Sequence, residues 1–566
     1  MNDQKESSQS IQNQVLTNDT HHSQNFYLSD HILRHYLRKN LDKSAIEYLD
    51  PKLMKLGEQA AKEMDELSLK ADKHPPELTK RTPEGEKAER IEFHPAYQKM
   101  LKMAVESEMI YLKYEPDLKE RFKGLRHQMG FAAGQLFAMS EVGLYCPLCM
   151  TDGAAYVLEN YAGDERVQKI IKKLSSRTEE EVFTGAMFLT EKSGGSDVGR
   201  NITKAERVEG KTYRLTGEKW FCSNVNAEIM MVLARTGREK EGTRGLSLFL
   251  VEKYLEDGSR NPLNIIRLKE KLGVRSMATG EVELTSTLGT RLGEEGNGFK
   301  LMANMINMSR LYNSLTAVAA ARRAIVESWE YLNHRVIFGK RAVEHPLIRQ
   351  KFHELGSLHI ANFLLVWQAI KKLDSVEDGH DEQKAGYRTL LPMAKWWSAE
   401  TAVYMVRECM ELMGGNGYIE DFIMPKLLRD VNVLPIWEGS GNVIVLDILR
   451  SLDKANGFNQ LVKEMEASFG DEEFGELLKK ETKQIKGILA SISNDNREEL
   501  EATAKPLFKR FIHVYQMHLM IEDKDKKSKK WLHPALSYMK DMPGEKLGVR
   551  KPLPLQEIEN LIGWKY

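Results

Sequence analysis

Glu438 stands in PIWEGSGNVIVLDILR, residues 435–450, with a tryptophan before it, two nearby glycines after it and an apolar, helix-spaced run beyond. One account of this acid is local. A carboxylate near a helix start is favoured by the positive end of the helix dipole, and Ser440 or Asn442 can cap the first turn. The other account is chemical: a carboxylate held beside an aromatic, with glycines that let a ligand come close. Other segments carry matching chemistry. TEKSGGSDVG, residues 190–199, offers Thr190, two glycines, Ser196 and a run of backbone N–H groups, a set that can make a concave anion site as readily as an ordinary β-turn. KWFCSN, residues 219–224, puts Phe221 and Ser223 near the end of a strand, where an aromatic and a hydroxyl can flank a flat heterocycle or simply pack the core. HRVIFGK, residues 334–340, sets Arg335 at a predicted helix end stopped by Gly339; the planar guanidinium suits phosphate, and a surface arginine at a helix C-terminus is the plainer reading. MGGNGY, residues 413–418, places Gly414 and Gly415 after a long helix, as a close-approach turn or as a C-cap.

The elements that must position these groups follow from the periodicity. Residues 1–25 are rich in Ser, Gln, Asn and Asp and read as a disordered tail. Residues 26–181 have helical spacing, as in HPAYQKMLKMAVESEMIYLKY, with ADKHPPELTKRTPEGEKAER marking a loop. Residues 182–290 change period: KTYRLTGEKWFCSN, EIMMVLART and LSLFLVEKY are short, β-branched or aromatic, and bounded by Gly, Asn and Asp. The helical period returns over 291–450, and 451–566 reads as an appended helical extension. The expected class is α+β: a helical domain, a central β-barrel or sandwich domain, a helical bundle, then the extension.

Composition narrows the function. Lys plus Arg and Asp plus Glu are both 82 in 566 residues, which disfavours a nucleic-acid coat or an electrostatic membrane binder. A local basic run, KDKKSKKW at 524–531, leaves nucleic-acid binding open but not favoured, because the extension nets only about +1. The N-terminal residues lack an apolar signal region, and no apolar run spans a bilayer, so a cytoplasmic protein is expected. CPLC, Cys146 to Cys149, has no second pair to complete a zinc site, and no metal is expected. Neither GxGxxG after a strand nor GxxxxGK[ST] is present, so phosphate binding through a Rossmann or P-loop turn is excluded.

Taken in order, MFLTEKSGGSDVG, LTGEKWFCSN, HRVIFGK, ELMGGNGYIED and IWEGSGN resemble the acyl-CoA dehydrogenase family over roughly residues 50–450. FHPAYQKM, EVGLYCPLCMT and TEKSGGSDV fit its AidB-like branch better than the usual TEPxAGSD. The resemblance implies FAD bound without a Rossmann domain. It implies that Met187, Thr190 and Ser196 contact the flavin or its phosphates, and that Phe221 and Ser223 flank the ring near N5. Arg335 and the Gly414–Gly415 turn would reach the pyrophosphate of FAD held mainly by a neighbouring subunit, and Ser440 and Asn442 would contact FAD as well. A shared cofactor implies an oligomer, with a homotetramer expected. Glu438 matches the family's catalytic base, which takes the α-proton of an acyl-CoA while a hydride leaves the β-carbon for flavin N5, giving a 2-enoyl-CoA. Trp437 beside it would raise its pKa toward working pH. Asn307 stands where many members have Asp, Glu411 where many have Gln, and Arg310 is a candidate for the substrate end. Electrons would pass to an electron-transfer flavoprotein or another acceptor. Two alternatives share the fold: an AidB-like flavoprotein that associates with DNA and protects it from alkylation, and a flavin oxidase.

Overall fold

The computed structural model describes residues 25–564 other than 162, 237–238, 492–495, 524 and 542–550. The polar tail expected over 1–25 therefore lies outside the described residues but for Asn25, as does Lys524 of the basic run. The chain divides into two compact units.

The unit formed by Glu63–Asn313 and Ile436–Ser440 contains the sheet. A hairpin of β1 (Glu77–Arg81) and β2 (Lys87–Glu92) occupies the stretch expected to be loop. Its strands carry only Leu78, Ala88 and Ile91 as apolar residues, too few for an alternation to read although Leu78 and Ile91 pack against the sheet core, and Gly85 at φ 87° closes the turn between them. The central sheet has seven strands: β3 (Gly185–Phe188), β4 (Lys204–Glu209), β5 (Thr212–Ser223), β6 (Ile229–Arg235), β7 (Leu246–Glu252), β8 (Leu263–Leu268) and β9 (Thr279–Leu292). β5 and β9 form its long antiparallel ladder, from Thr212 opposite Thr290 to Ser223 opposite Thr279. β3 runs parallel to β6, and β6 pairs antiparallel with β7. The sheet curls, but β4 and β6 meet through one residue pair only, Lys204 and Arg235, so it is not a closed barrel. β6 and β7 are buried along almost their whole length, which explains their continuous apolar sequence. Phe188, Leu215, Val232, Phe249, Val251 and Val282 build the core, each removing apolar surface worth about 1.5–3 kcal/mol when fully buried.

Helices flank this sheet in sequence. The helix Tyr145–Tyr161 carries the CPLC pair, and Asp152 within it is fully buried against Lys113, whose Nζ lies 2.5 Å away. The hydroxyls of Tyr114 and Tyr312 donate to the same carboxylate at 2.7 and 2.8 Å. Burial alone would raise the Asp152 carboxyl; the Lys113 charge and these donors outweigh it and hold it below the usual range.

The second unit comprises Met1–Lys62, Ser314–Pro435 and Gly441–Tyr566 and is helical. Its long helices are Pro346–Glu377, Lys384–Leu412 and Arg497–Glu522, and Pro346 occupies a helix-start position, where its missing N–H costs nothing. Arg322 and Asp30 are both almost fully buried here. Arg322 Nε and Nη2 donate to the two Asp30 oxygens at 2.9 and 3.1 Å, and Nη1 donates to the Ile562 carbonyl at 2.6 Å. Asp30 also caps the helix His31–Asn40, accepting from the N–H groups of Ile32 and Leu33.

Four histidines of this unit, His353, His359, His513 and His518, are buried, and burial lowers each pKa. His513 falls from 6.5 to about 4. A depressed histidine is neutral when folded and takes a proton when unfolded, so the unfolded chain gains protons first as pH drops. Stability from these residues is complete above the ordinary histidine value near 6.5 and is lost as pH falls toward 4. His513 alone accounts for about 3 kcal/mol across that window. The thermal midpoint should fall steeply between these two pH values, and His513→Gln should flatten the fall. A midpoint unchanged down to the lower value would contradict this.

Candidate active site

In the sheet unit, Glu438 lies in a turn-rich loop, three residues before the helix Gly441–Ala455. Glu438 stands ahead of that helix's first turn, which itself holds no acid. Its backbone is left-handed, with φ 58°, and Gly439 follows at φ 104°. A non-glycine residue there costs about 1 kcal/mol or more and persists only when its surroundings enforce it. One such enforcement is visible: Arg310 Nε donates to the Glu438 carbonyl at 3.4 Å, and Arg310 Nη1 lies 3.5 Å from Asn307 Oδ1. Arg310, expected at the substrate end, is thus buried against the backbone of the carboxylate residue. The charge of Glu438 also reaches the helix Tyr145–Tyr161. Burial pushes the Cys146 thiol up to about 12, and Glu438 and then Lys271 are the charges that act on it, in opposite directions. Both cysteines of CPLC are therefore protonated, unbridged thiols at neutral pH. The indole Nε1 of Trp437 is buried with no acceptor among the described residues.

The same unit carries the residues of the loop after β3. Met187 is on β3, Thr190 just beyond it, and Ser196 is exposed farther along the loop. This loop is fastened to β5: the Trp220 N–H donates to the Thr190 carbonyl at 2.9 Å, and buried Lys219 Nζ donates to buried Glu191 at 2.8 Å. Glu191 also accepts from Thr203 Oγ1 and from the backbone N–H of Ile202. Burial alone would raise the Glu191 carboxyl; the Lys219 charge and these donors outweigh it and keep it below the usual range. On β5, Phe221 is 57% exposed although aromatic, and Ser223 Oγ is 3.5 Å from Thr279 Oγ1. Lys219→Met removes the cation and leaves a buried carboxylate, at a cost of about 3–5 kcal/mol. The variant should lose stability of that size in urea titration and should retain less flavin; Lys219→Met with Glu191→Gln should recover most of the stability.

In the helical unit, the helix that begins at Gly298 ends at His334, one residue before Arg335. HRVIFGK is not simply a helix end. Val336–Ile337 pairs with Lys340–Arg341, and Phe338 and Gly339 turn between them at φ 48° and 80°. Two consecutive positive φ values are those of a tight hairpin turn, which the sequence announced only through Gly339. Gly414 follows the helix Lys384–Leu412 at φ 64°, and Gly415 opens one further helical turn. Among the described residues, a Cβ on Gly414 would touch only Arg335 Nη1, at 3.8 Å, and one on Gly415 would touch nothing. Arg335 forms no ion pair among the described residues; its Nη1 rests on Tyr331 Oη at 3.1 Å and on the Met413 carbonyl at 3.5 Å. Asn442 is the second residue of the helix Gly441–Ala455 and is exposed, so it cannot be that helix's N-cap; Ser440, in the sheet unit, precedes the helix and is exposed too.

Taken separately, each unit carries groups suited to parts of a dinucleotide: in the helical unit, a guanidinium with no ion pair among the described residues beside an open glycine turn; in the sheet unit, a hydroxyl-bearing loop with open backbone at Gly194 and, on β5, an exposed aromatic. Sequence reasoning missed Glu191, Lys219, Tyr331 and Asn416. Tyr331 precedes Arg335 by one helical turn, a spacing that could have found it; the Lys219–Glu191 pair joins different segments and left no such trace.

The comparisons agree with one another. Residues 13–180 match the adaptive response protein AidB N-terminal domain, 186–287 the acyl-CoA dehydrogenase middle domain, and 296–452 the acyl-CoA dehydrogenase C-terminal domain. The chain is 33% identical to acyl-CoA dehydrogenase family member 11 of Caenorhabditis elegans, covering 83% of this chain and 77% of the relative. It is 34% identical to AidB of Escherichia coli (strain K12), covering 73% and 76%. The crystal structure of Caenorhabditis elegans ACDH-11 in complex with C11-CoA superposes with a TM-score of 0.84 at 29% identity, covering 94% of this chain and 92% of that one. The chain belongs to the acyl-CoA dehydrogenase family, FAD-binding oxidoreductases that act on CH–CH groups, and within it to the AidB-like branch.

Proposed function

We propose that the protein is an FAD-dependent acyl-CoA dehydrogenase in which Glu438 removes the α-proton of the thioester. The observation that carries this is the Glu438 backbone, left-handed and bonded at its carbonyl by buried Arg310. A strained residue held in place at a candidate site is a mark of function. The carboxylate takes the proton from Cα, and the C–H electron pair, delocalised in passing onto the thioester carbonyl, becomes the Cα–Cβ double bond as Cβ gives up its hydride. Bound FAD supplies the acceptor for the hydride that Cβ gives up. Protein donors that steady the charge growing on the thioester oxygen lower the barrier further. Arg310 keeps the carboxylate-bearing backbone from relaxing out of this geometry.

Met187, Thr190, Ser196, Phe221 and Ser223 hold FAD from the sheet unit, with Ser440. Asn442 contacts FAD as well, and Arg335 and the Gly414–Gly415 turn reach the pyrophosphate of FAD held mainly by a neighbouring subunit in a homotetramer. The substrate class is acyl-CoA of medium to long chain, a reading supported by the C11-CoA complex of the ACDH-11 structure. An electron-transfer flavoprotein or a comparable acceptor reoxidises the enzyme. Among the described residues, no helix is long and apolar enough to cross a membrane.

The test is anaerobic titration of the yellow holoenzyme with saturated acyl-CoAs of increasing length. Bleaching of the flavin band should be strongest near the length of C11-CoA. If no saturated acyl-CoA bleaches it, the dehydrogenase reading fails; rapid recolouring by oxygen would make it an oxidase.

A further inference from the structure

We propose that Tyr331 is a positioning residue that aims the Arg335 guanidinium at a phosphate, with Asn416 as its second anchor. The proposal rests on the reading above that places Arg335 on the pyrophosphate of FAD. Tyr331 is buried near the end of the Gly298–His334 helix, and both the backbone and the side chain of Arg335 return to it. The Arg335 N–H donates to the Tyr331 carbonyl at 3.1 Å, and Arg335 Nη1 donates to the Tyr331 hydroxyl at 3.1 Å. The guanidinium carbon lies 5.7 Å from the centre of the Tyr331 ring, which Phe422 meets edge-on. Asn416 Nδ2 donates to the same hydroxyl at 3.0 Å.

This arrangement has a chemical consequence. A phenol oxygen has two lone pairs and one proton. Here Arg335 and Asn416 both donate to that oxygen, so the phenol is held by the amide on one side and holds the guanidinium on the other. The cluster thus leaves the remaining guanidinium N–H groups of Arg335 beside the open turn at Gly414, without a carboxylate among the described residues to satisfy them. Convergent donors around a fixed cation are what a phosphate oxygen requires. An arginine on a long stem otherwise samples many rotamers; the tyrosine oxygen removes that freedom before the ligand arrives.

The test is the affinity of the full-length protein for FAD, read by quenching of flavin fluorescence on reconstitution, with the holoenzyme's melting curve as a fold control. Tyr331→Phe should weaken FAD about 10-fold or more, because the lost contact serves a charged group. In an Arg335→Ala background the same change should have no further effect beyond about 2-fold, the signature of coupled residues. Asn416→Ala should weaken FAD by a smaller factor with the same dependence on Arg335, and it carries the test if Tyr331→Phe does not fold. Wild-type affinity in Tyr331→Phe, or an equal loss with and without Arg335, overturns the assignment. If Arg335→Ala itself binds FAD as the wild type does, the placement of Arg335 on the pyrophosphate fails and this inference fails with it.

Discussion

Glu438→Gln should keep the yellow flavin spectrum and its affinity for acyl-CoA while slowing anaerobic bleaching by about 10²–10⁴-fold, the usual contribution of a positioned general base. The amide matches the carboxylate in shape, so the backbone, already left-handed at this residue, has no new reason to move. It cannot accept the α-proton, and the step stalls with substrate bound. Rapid-mixing absorbance under saturating acyl-CoA checks this directly. Unchanged bleaching in Glu438→Gln would remove Glu438 from the mechanism. Loss of flavin from the variant would assign it a structural role instead. Arg310→Met gives a useful contrast: it deletes the bond to the Glu438 carbonyl but leaves the base. A partial loss of rate there, with the full loss in Glu438→Gln, would separate holding the base from being the base.

The second large effect is on stability. Arg322→Met should lower the unfolding free energy by about 3–5 kcal/mol, because it leaves a buried carboxylate without its cation. Asp30 keeps its two helix-cap donors, so its charge is not wholly unmet, but the Ile562 carbonyl loses its donor as well. The Gly563 carbonyl, 3.3 Å from Arg322 Nη2, and the Trp564 ring, 5.1 Å from the guanidinium carbon, lose a partner too. Urea titration should show the lower midpoint, and limited proteolysis should cut first near the Leu555–Ile562 helix. A midpoint within experimental error of the wild type would show that the buried pair contributes little. Arg322→Lys should recover only part of the loss, since an ammonium cannot span both Asp30 oxygens and a carbonyl in one plane.

The sequence made the alternation of helical and strand regions readable because burial imposes a period on each. It made β5, β6 and β7 readable for the same reason. The β1–β2 hairpin escaped because its few apolar residues, Leu78, Ala88 and Ile91, make no alternation, and the Val336–Arg341 hairpin escaped because two-residue strands carry no period. In the candidate site, Glu438 stood out through its neighbours, and Arg335 through its place before a Phe–Gly turn. What the sequence left hidden were partners brought from elsewhere in the chain. Lys219 looked like one more strand lysine until Glu191 was found against it, and Arg310 gave no sign that it would meet a backbone carbonyl 128 residues away.

The clamp around Arg322 also bears on the order in which the molecule can be made. Synthesis runs from the N-terminus, and by residue 313 the chain holds nearly all of the sheet unit, which lacks only Ile436–Ser440. The helical unit is drawn from three separated segments. Asp30 is laid down 292 residues before the arginine that neutralises it, and that arginine precedes the Ile562 carbonyl by a further 240. On the ribosome, then, the sheet unit can mature early, while the first helices wait with a carboxylate still in water until Arg322 has emerged.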